Sequence, residues 1–302
     1  MQKIDFRIIE RLIEYNKERD LTNKELDLLL YLSRYQEETG VVRGVYYKNV
    51  CTEMKMSVQS FYLAKAALEN KGIIKSVKVH FTDFDITICD NDWSEKSYRE
   101  SYINTNHEIF YSPDFLRLSA GEKLFAIILL RINLVNKGSF RIGVKNLYRT
   151  YCARLGVVKR VLQRYLANLK SLFAIGIKDG LYYITIYKNP ATRCHDAESS
   201  KLHRYVLDMA CRRSKIEEAV DSEKEEYNDI LHLFEQYSVW IKDAMKRQCF
   251  DFTAVIQRSL TIINEKVKNK YRWQRRLKAS LVHRCLKQFL KEEDVMPEML
   301  GF

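Results

Sequence analysis

Short stretches of this 302-residue chain recur in the same order at a spacing of 97 to 98 residues. Leu21-Thr22-Asn23-Lys24-Glu25 returns as Leu118-Ser119-Ala120-Gly121-Glu122, Lys48-Asn49-Val50 as Lys145-Asn146-Leu147, and Ile86-Thr87-Ile88 as Ile184-Thr185-Ile186. Three anchors in register constrain the fold, because two segments carrying the same local signals build the same unit twice. The first anchor is a Ser/Thr-x-x-Glu capping box, in which a hydroxyl and a carboxylate satisfy free amides at a helix start. Each box opens an apolar run: Leu26, Leu28, Leu29, Leu30 and Leu32 in the first copy, Leu124 to Leu130 in the second.

Taken element by element, each copy predicts a helix, a short strand, a helix, a tight turn, a helix and two strands. The first copy places helices near 22–39, 47–54 and 58–71 and strands near 73–81 and 84–89. Ser57 is placed to cap the third helix, Phe61, Ala64 and Leu68 share its inner face, and Gly72 ends it. The second copy places helices near 119–136, 144–153 and 157–171, with Gly156 in the turn. Its strands, near 174–178 and 181–187, flank Asp179-Gly180, a favoured two-residue hairpin turn. With only three prolines and ten glycines, the composition favours helices, and the fold class is α+β and mostly helical.

The segment Val50 to Ile74 resembles the winged helix-turn-helix family. It carries Val-x-x-x-Met-x-Met-Ser-x-Gln-Ser-Phe-Tyr, then Ala-x-x-x-Leu-Glu-x-Lys-Gly-Ile-Ile, similar to the family's passage from recognition helix into wing. The resemblance covers roughly 20–90 and 117–188 and implies two tandem winged-helix modules. The expected organisation is 1–92 for an N-terminal helix (Ile4 to Lys17) and first module, 93–116 for a connector, 117–190 for a basic second module, and 191–302 for a helical C-terminal domain. Helices are expected there near 201–213, 215–240, 242–267 and 273–291.

Charge separates the copies. From Lys123 to Lys178 there are twelve Lys or Arg and no Asp or Glu, which equals the whole chain's formal net charge of +12. Apolar residues recur through the window, so it can bury a core and still present a cationic face to a polyanion. In winged-helix modules the third helix enters the major groove while neighbouring groups and the wing hold phosphates. Carried over, this makes Lys159, Arg160, Gln163 and Arg164 base-reading candidates, and Lys145, Arg149, Arg154 and Lys178 phosphate clamps. Residues 22–79 hold nine basic and six acidic residues, a net of only +3. There the candidates are Lys48, Ser57, Gln59, Ser60, Tyr62 and Lys65, and both tandem DNA contact and a dimerising role for the first module are open.

Other chemistry finds little support. Seven scattered cysteines without Cys-x-x-Cys suit reduced thiols in the cytoplasm. The charged N-terminus is unlike a secretory signal, and the longest apolar run, Leu124 to Leu130, is far short of a membrane span. Cys194, His195, His203 and Cys211 do not have zinc-ligand spacing, and Asp83, Asp85, Asp90 and Asp92 suit a solvent face, so no metal or cofactor is expected. No phosphate loop, dinucleotide fingerprint or nucleophile triad is present, and no catalysis is expected. A second acid-free block, Lys266 to Lys291 with ten Lys or Arg, suits either phosphate contact or pairing with the acidic stretch Glu217 to Asp229.

The expected function is sequence-selective binding of double-stranded DNA. The tandem arrangement resembles bacterial plasmid and phage replication initiators, although those end near the second wing and this chain continues for about a hundred residues. The continuation suits a homodimer contact or recruitment of replication or transcription proteins. A transcriptional regulator and a protein-interaction scaffold are the alternatives.

Overall fold

A strand, not a helix, opens the computed structural model, which describes residues 2–80, 83–94, 102–105, 108–136, 139–187, 195–214, 216, 224–244, 256, 260 and 277–292. Strand β1 (Gln2–Asp5) precedes α1 (Phe6–Lys17), and Asp5 sets the boundary by accepting the Arg7 N–H at 2.8 Å as N-cap. The first repeat follows as α2 (Asn23–Tyr35), β2 (Val41–Tyr46), α3 (Tyr47–Glu53), α4 (Val58–Asn70), β3 (Ile74–His80) and β4 (Asp83–Ile88). The stretch expected as a connector supplies β5 (Tyr102–Thr105), α5 (Glu108–Tyr111) and α6 (Pro113–Leu116). The second repeat follows as α7 (Ala120–Val135), β6 (Ser139–Gly143), α8 (Val144–Leu155), α9 (Lys159–Asn168) with a 3-10 turn (Leu169–Ser171), β7 (Phe173–Lys178) and β8 (Leu181–Ile186). Helices α10 (His195–Arg213), α11 (Lys224–Ala244) and α12 (Ala279–Glu292) complete the described chain, and the helix expected over 242–267 lies almost wholly outside it. The protein is α+β and mostly helical.

The two repeats share strand order as well as element order. In each, the first strand pairs antiparallel with the last, and the last pairs with the middle one: β2-β4-β3 and β6-β8-β7. All three sequence anchors fall in corresponding places. The capping boxes close, Thr22 with Glu25 and Ser119 with Glu122, at the starts of α2 and α7. Lys48-Asn49-Val50 and Lys145-Asn146-Leu147 lie in α3 and α8, and the Ile-Thr-Ile triplets form the central strands β4 and β8. Asp179 (φ 51°) and Gly180 (φ 73°) make the left-handed pair that a two-residue hairpin needs.

The chain forms two compact units, 1–194 and 195–302, so both repeats belong to one body. Helix α1 is one reason. It buries Phe6, Ile8, Ile9, Leu12 and Ile13 and packs on α7 and α8 of the second repeat. Such side chains stabilise by about 1.5–3 kcal/mol each when fully buried. The other edge of α1 holds the first repeat: Arg11 donates to the carbonyls of Lys71 (3.0 Å) and Gly72 (3.2 Å), just past the end of α4. Strand β1 adds the ribbon with β5, and Gln2 donates to the Leu30 carbonyl of α2 at 2.6 Å. Helix α7 is apolar all round from Leu124 to Leu130, as a helix at the centre of a core must be.

Within the second unit, Leu207, Met209, Ala210, Ile230, Leu231, Phe234, Val282, Cys285 and Leu286 belong to one core cluster. Tyr227 donates to Asp208 at 2.8 Å, and Tyr237 bonds His283 at 3.0 Å. Among the described residues no helix is long and apolar enough to cross a membrane.

Lys123 and Asp27 form an ion pair between α7 and α2, with side chains 0% and 1% exposed. Burial lowers the Lys123 pKa while Asp27 opposes that shift. Among the described residues, only the partly exposed Lys24, 3.5 Å away, gives Asp27 a second cation. Removing one partner of a buried pair strands the other charge, at a cost of about 3–5 kcal/mol, whereas an apolar pair of similar volume is often neutral or stabilising. Lys123→Met and Asp27→Leu should each lower stability by about that amount, and the double substitution should restore most of it. Urea midpoints of the four proteins check this; additive losses would show that the two groups are not coupled.

Candidate nucleic-acid interface

Helix α9 starts against its own electrostatics. Helix α8 ends at Gly156, left-handed at φ 65°, and two residues later the extended Val158 occupies the N-cap of α9. Valine offers no side-chain acceptor to the free amides, and no side-chain cap bond forms. Ser, Thr, Asn or Asp there is worth about 1 kcal/mol more. The first two helical residues are Lys159 and Arg160, placing cations at the positive end of the helix dipole, where each costs about 0.3–1 kcal/mol. Val158 is also 68% exposed. The Val161 amide turns back to the Val158 carbonyl at 2.9 Å, and the two cations stand at a helix start whose dipole favours an anion.

The rest of α9 divides cleanly. Leu162, Tyr165 and Leu166 are buried, and Lys159, Arg160, Gln163, Arg164 and Ala167 are exposed. On α8, Lys145 and Arg149 are exposed, and on the hairpin Lys178 is exposed at the end of β7. The Lys159 ammonium lies 5.1 Å from the Tyr148 ring centroid, and Arg149 donates to Asn146 at 3.2 Å. A cleft of about 390 Å³ joins these elements, with Tyr148 of α8, Gln163 of α9, Lys170, Ile177 of β7 and Tyr182 of β8 along its wall. The Tyr148 and Tyr182 hydroxyls bond at 2.8 Å, and burial, reinforced by that bond, pushes the Tyr182 pKa up to about 12. The Tyr182 phenol is therefore neutral near pH 7.

Not every cation of the acid-free window faces outward. Lys123 is held by Asp27. The Arg131 guanidinium lies 3.8 Å from the Phe6 ring centroid, and Arg154 lies 5.2 Å from the same ring while pairing with Glu10 at 3.2 Å. Arg154 thus anchors α1 to α8 instead of standing ready as a clamp. Arg141 and Lys170, which the resemblance did not single out, are exposed. With Lys145, Arg149, Lys159, Arg160, Arg164 and Lys178 they make eight exposed cations, none in an ion pair among the described residues. Lys137 lies outside the described residues.

The first copy carries a different surface. Ser57 caps α4 through the Ser60 N–H at 3.1 Å, and its hydroxyl also bonds that of Ser60 at 2.8 Å. Lys65 is tied to Glu69 at 3.0 Å and to Ser76 at 2.7 Å, with 12% of its side chain exposed. Gln59 and Lys48 are exposed, and Tyr62 is 41% exposed within an aromatic group that includes Tyr47, Phe61 and Phe84. Matching α4 and α9 at their first residues sets Gln59, Tyr62 and Leu63 against Arg160, Gln163 and Arg164. The exposed stripe Gln59, Tyr62, Leu63, Ala66 and Asn70 has no charge.

The other titratable groups considered are engaged in the fold. Asp85 accepts the Gly44 N–H at 2.8 Å, Asp90 pairs with Arg11 at 3.2 Å, and Asp92 accepts from Ser94, whose two bonds lower its pKa. His203 bonds Glu235 at 2.8 Å, while Cys194 lies outside the described residues. Among the described residues no group of three or more His, Cys, Asp or Glu is placed to hold a metal.

What aims α9 is the first turn of α7. Glu122 caps its own helix with one oxygen, and its other oxygen accepts from Asn168, the last residue of α9, at 2.6 Å. Beside it, a Cβ on Gly121 would overlap the Tyr165 hydroxyl. Alanine normally stabilises a helix interior by about 0.8–1 kcal/mol relative to glycine. Gly121→Ala should instead lower the melting temperature, because the Tyr165 side chain on α9 must move. A melting temperature raised by the substitution would contradict this account of how α9 is held.

Comparison with protein-family models, with curated proteins and with solved structures found no match to this chain.

Proposed function

We propose that this chain is a non-catalytic, sequence-selective binder of double-stranded DNA, and that α9 of the second repeat enters the major groove. One observation carries the reading: a helix whose N-terminus lacks a side-chain cap, begins with Lys159-Arg160 and exposes Gln163 and Arg164 one turn on. A sequence tolerates such local costs where a ligand compensates them. The helix–strand–helix–helix–strand–strand order, with the first strand paired to the last, supports the winged-helix resemblance in both repeats. In that docking, Arg160 and Arg164 offer two parallel hydrogen bonds to guanine O6 and N7, and Gln163 does the same for adenine. Lys145, Arg149, Lys159 and Lys178 hold phosphates and carry no sequence information. The outer stripe of α4 is uncharged, so on this reading the first repeat's contribution rests on Lys48 and its hairpin and the second repeat carries the larger cationic share.

Initiation of replication of a bacterial plasmid or other mobile element is the process this arrangement fits best, by resemblance to tandem initiators. A transcriptional regulator would use the same contacts, and a protein-interaction scaffold would not bind DNA at all. Genome-wide mapping of bound sites separates the first two. Repeated sites beside the chain's own gene mark an initiator, and a single promoter palindrome marks a regulator.

Arg160→Ala and Arg164→Ala should each cost about 1–3 kcal/mol on the cognate site and much less on random duplex, whereas Lys145→Ala should weaken both alike. If six cations of the second repeat neutralise phosphates, they alone should contribute about −5 to the slope of the logarithm of affinity against the logarithm of salt. Fluorescence anisotropy across a salt series measures both effects. Equal losses on cognate and random duplex for the arginine variants would remove α9 from base reading, and salt-independent or undetectable binding would leave the scaffold.

A further inference from the structure

Helix α12 is amphipathic in a way that leaves only one of its faces available. Val282, Cys285 and Leu286 are buried in the core of the second unit with Leu277 just ahead of them, and α12 packs against α11. The opposite side presents Lys278, Ser280, His283, Arg284, Gln288 and Lys291 to solvent, with Lys287 half-buried beside them. None of the four Lys and Arg residues on this side is in an ion pair among the described residues, although Glu226 and Asp229 sit on the neighbouring α11. Arg284, Lys287 and Lys291 follow one another at i, i+3 and i+7, so they line one stripe. Seven residues of helix rise about 10 Å, a length over which one DNA strand presents about three phosphate charges.

From this stripe we infer a second, sequence-indifferent site for nucleic-acid phosphates, on α12 and separate from α9. Three alternatives for a cationic helix are a solvated face, a membrane surface and an acidic protein. A membrane-surface helix needs its apolar stripe free to enter the headgroup region, and here that stripe is consumed by the core. A protein interface needs an apolar or aromatic anchor at its centre, yet no large hydrophobic side chain of α12 is exposed among the described residues. A purely solvated face usually mixes signs along a helix, and the described exposed positions from Lys278 to Lys291 contain no acid. A polyanion whose charges repeat along a line matches what remains. The site requires no base contact and does not depend on α9 reading sequence.

The test uses the full chain with Lys278→Gln, Arg284→Gln, Lys287→Gln and Lys291→Gln combined, against a cognate and a random duplex and against phosphatidylserine vesicles. A second protein exchanges Lys and Arg at the same four positions and keeps the charge. The Gln protein is expected to retain its cognate preference while its salt slope becomes shallower by about 3 to 4. Built into an Arg160→Ala/Arg164→Ala background, the same four changes should weaken the remaining random-duplex binding and flatten its salt slope, and the charge-preserving set should do neither. An unchanged salt slope in the Gln protein overturns the proposal. So does tighter binding of the wild-type chain to vesicles than to duplex, if the Gln set abolishes it. If instead the Gln set weakens duplex binding while the Arg160/Arg164 pair has no effect on preference, the α12 site stands and the α9 reading falls.

Discussion

Three consecutive residues in the first turn of α7 set the geometry on which both repeats depend. Gly121 leaves room for the Tyr165 hydroxyl, Glu122 accepts from Asn168, and Lys123 reaches Asp27 in the other repeat. The first two fix where α9 lies, and the third fixes α7 against α2. The common device is economy of polar groups in a buried place. Glu122 has two oxygens, and one helix start uses only one of them, so the second is available to hold another element. Lys71 and Glu25 repeat the idea in the first copy, where the capping carboxylate of α2 accepts at 2.7 Å from the lysine that closes α4. A buried carboxylate with every lone pair engaged is inexpensive; one left half-satisfied would not be.

The same scaffold therefore carries two unlike outer surfaces. Helix α4 starts by local rules: Ser57 caps it, no cation sits in its first turn, and its outer stripe is neutral. Helix α9 breaks them, with valine at the cap and two cations in the first turn. Since the inner faces of both helices are set by packing, the difference is confined to positions that packing does not decide. That is where selection for a ligand can act without disturbing the core. Copying a module and then altering only its exposed stripe is a short route to one repeat with a cationic outer helix and another whose outer helix carries a neutral stripe.

Much of this was legible in the chain because its causes are local. Capping boxes, the Asp179-Gly180 turn, Gly156 at the end of α8 and the apolar run of α7 each act within a few residues, and each appears at its expected place. The ribbon of β1 and β5 was not legible, since Ile4 pairs with Ile103 across 99 residues and the four-residue strands carry no periodic signal. Nor could charge counting reveal which cations turn inward. Lys123 finds Asp27 96 residues away, and Arg154 finds Glu10 144 residues away. Lys65 is the opposite case: its partner Glu69 is four residues on, a spacing that favours an ion pair on any helix, and the pairing takes it off the exposed surface.

The distribution of charge that results has a consequence for binding that the total of +12 does not convey. Cations that stabilise the fold are paired or stacked: Lys71 with Glu25, Lys123 with Asp27, Arg131 and Arg154 around Phe6. Outside those pairs the described residues include, besides others such as Lys75 and Lys78 of β3, eight exposed cations on the second repeat and four cations on α12, on elements whose opposite faces are packed. They contribute little to holding the molecule together and repel one another in its absence of a ligand. On the proposed function, a polyanion would relieve that repulsion and, at α9, would also complete a helix start left open by valine. Binding energy at these surfaces would then be partly the recovery of local costs built into the free protein. That is why the affinity should depend so steeply on the salt that competes for the same relief.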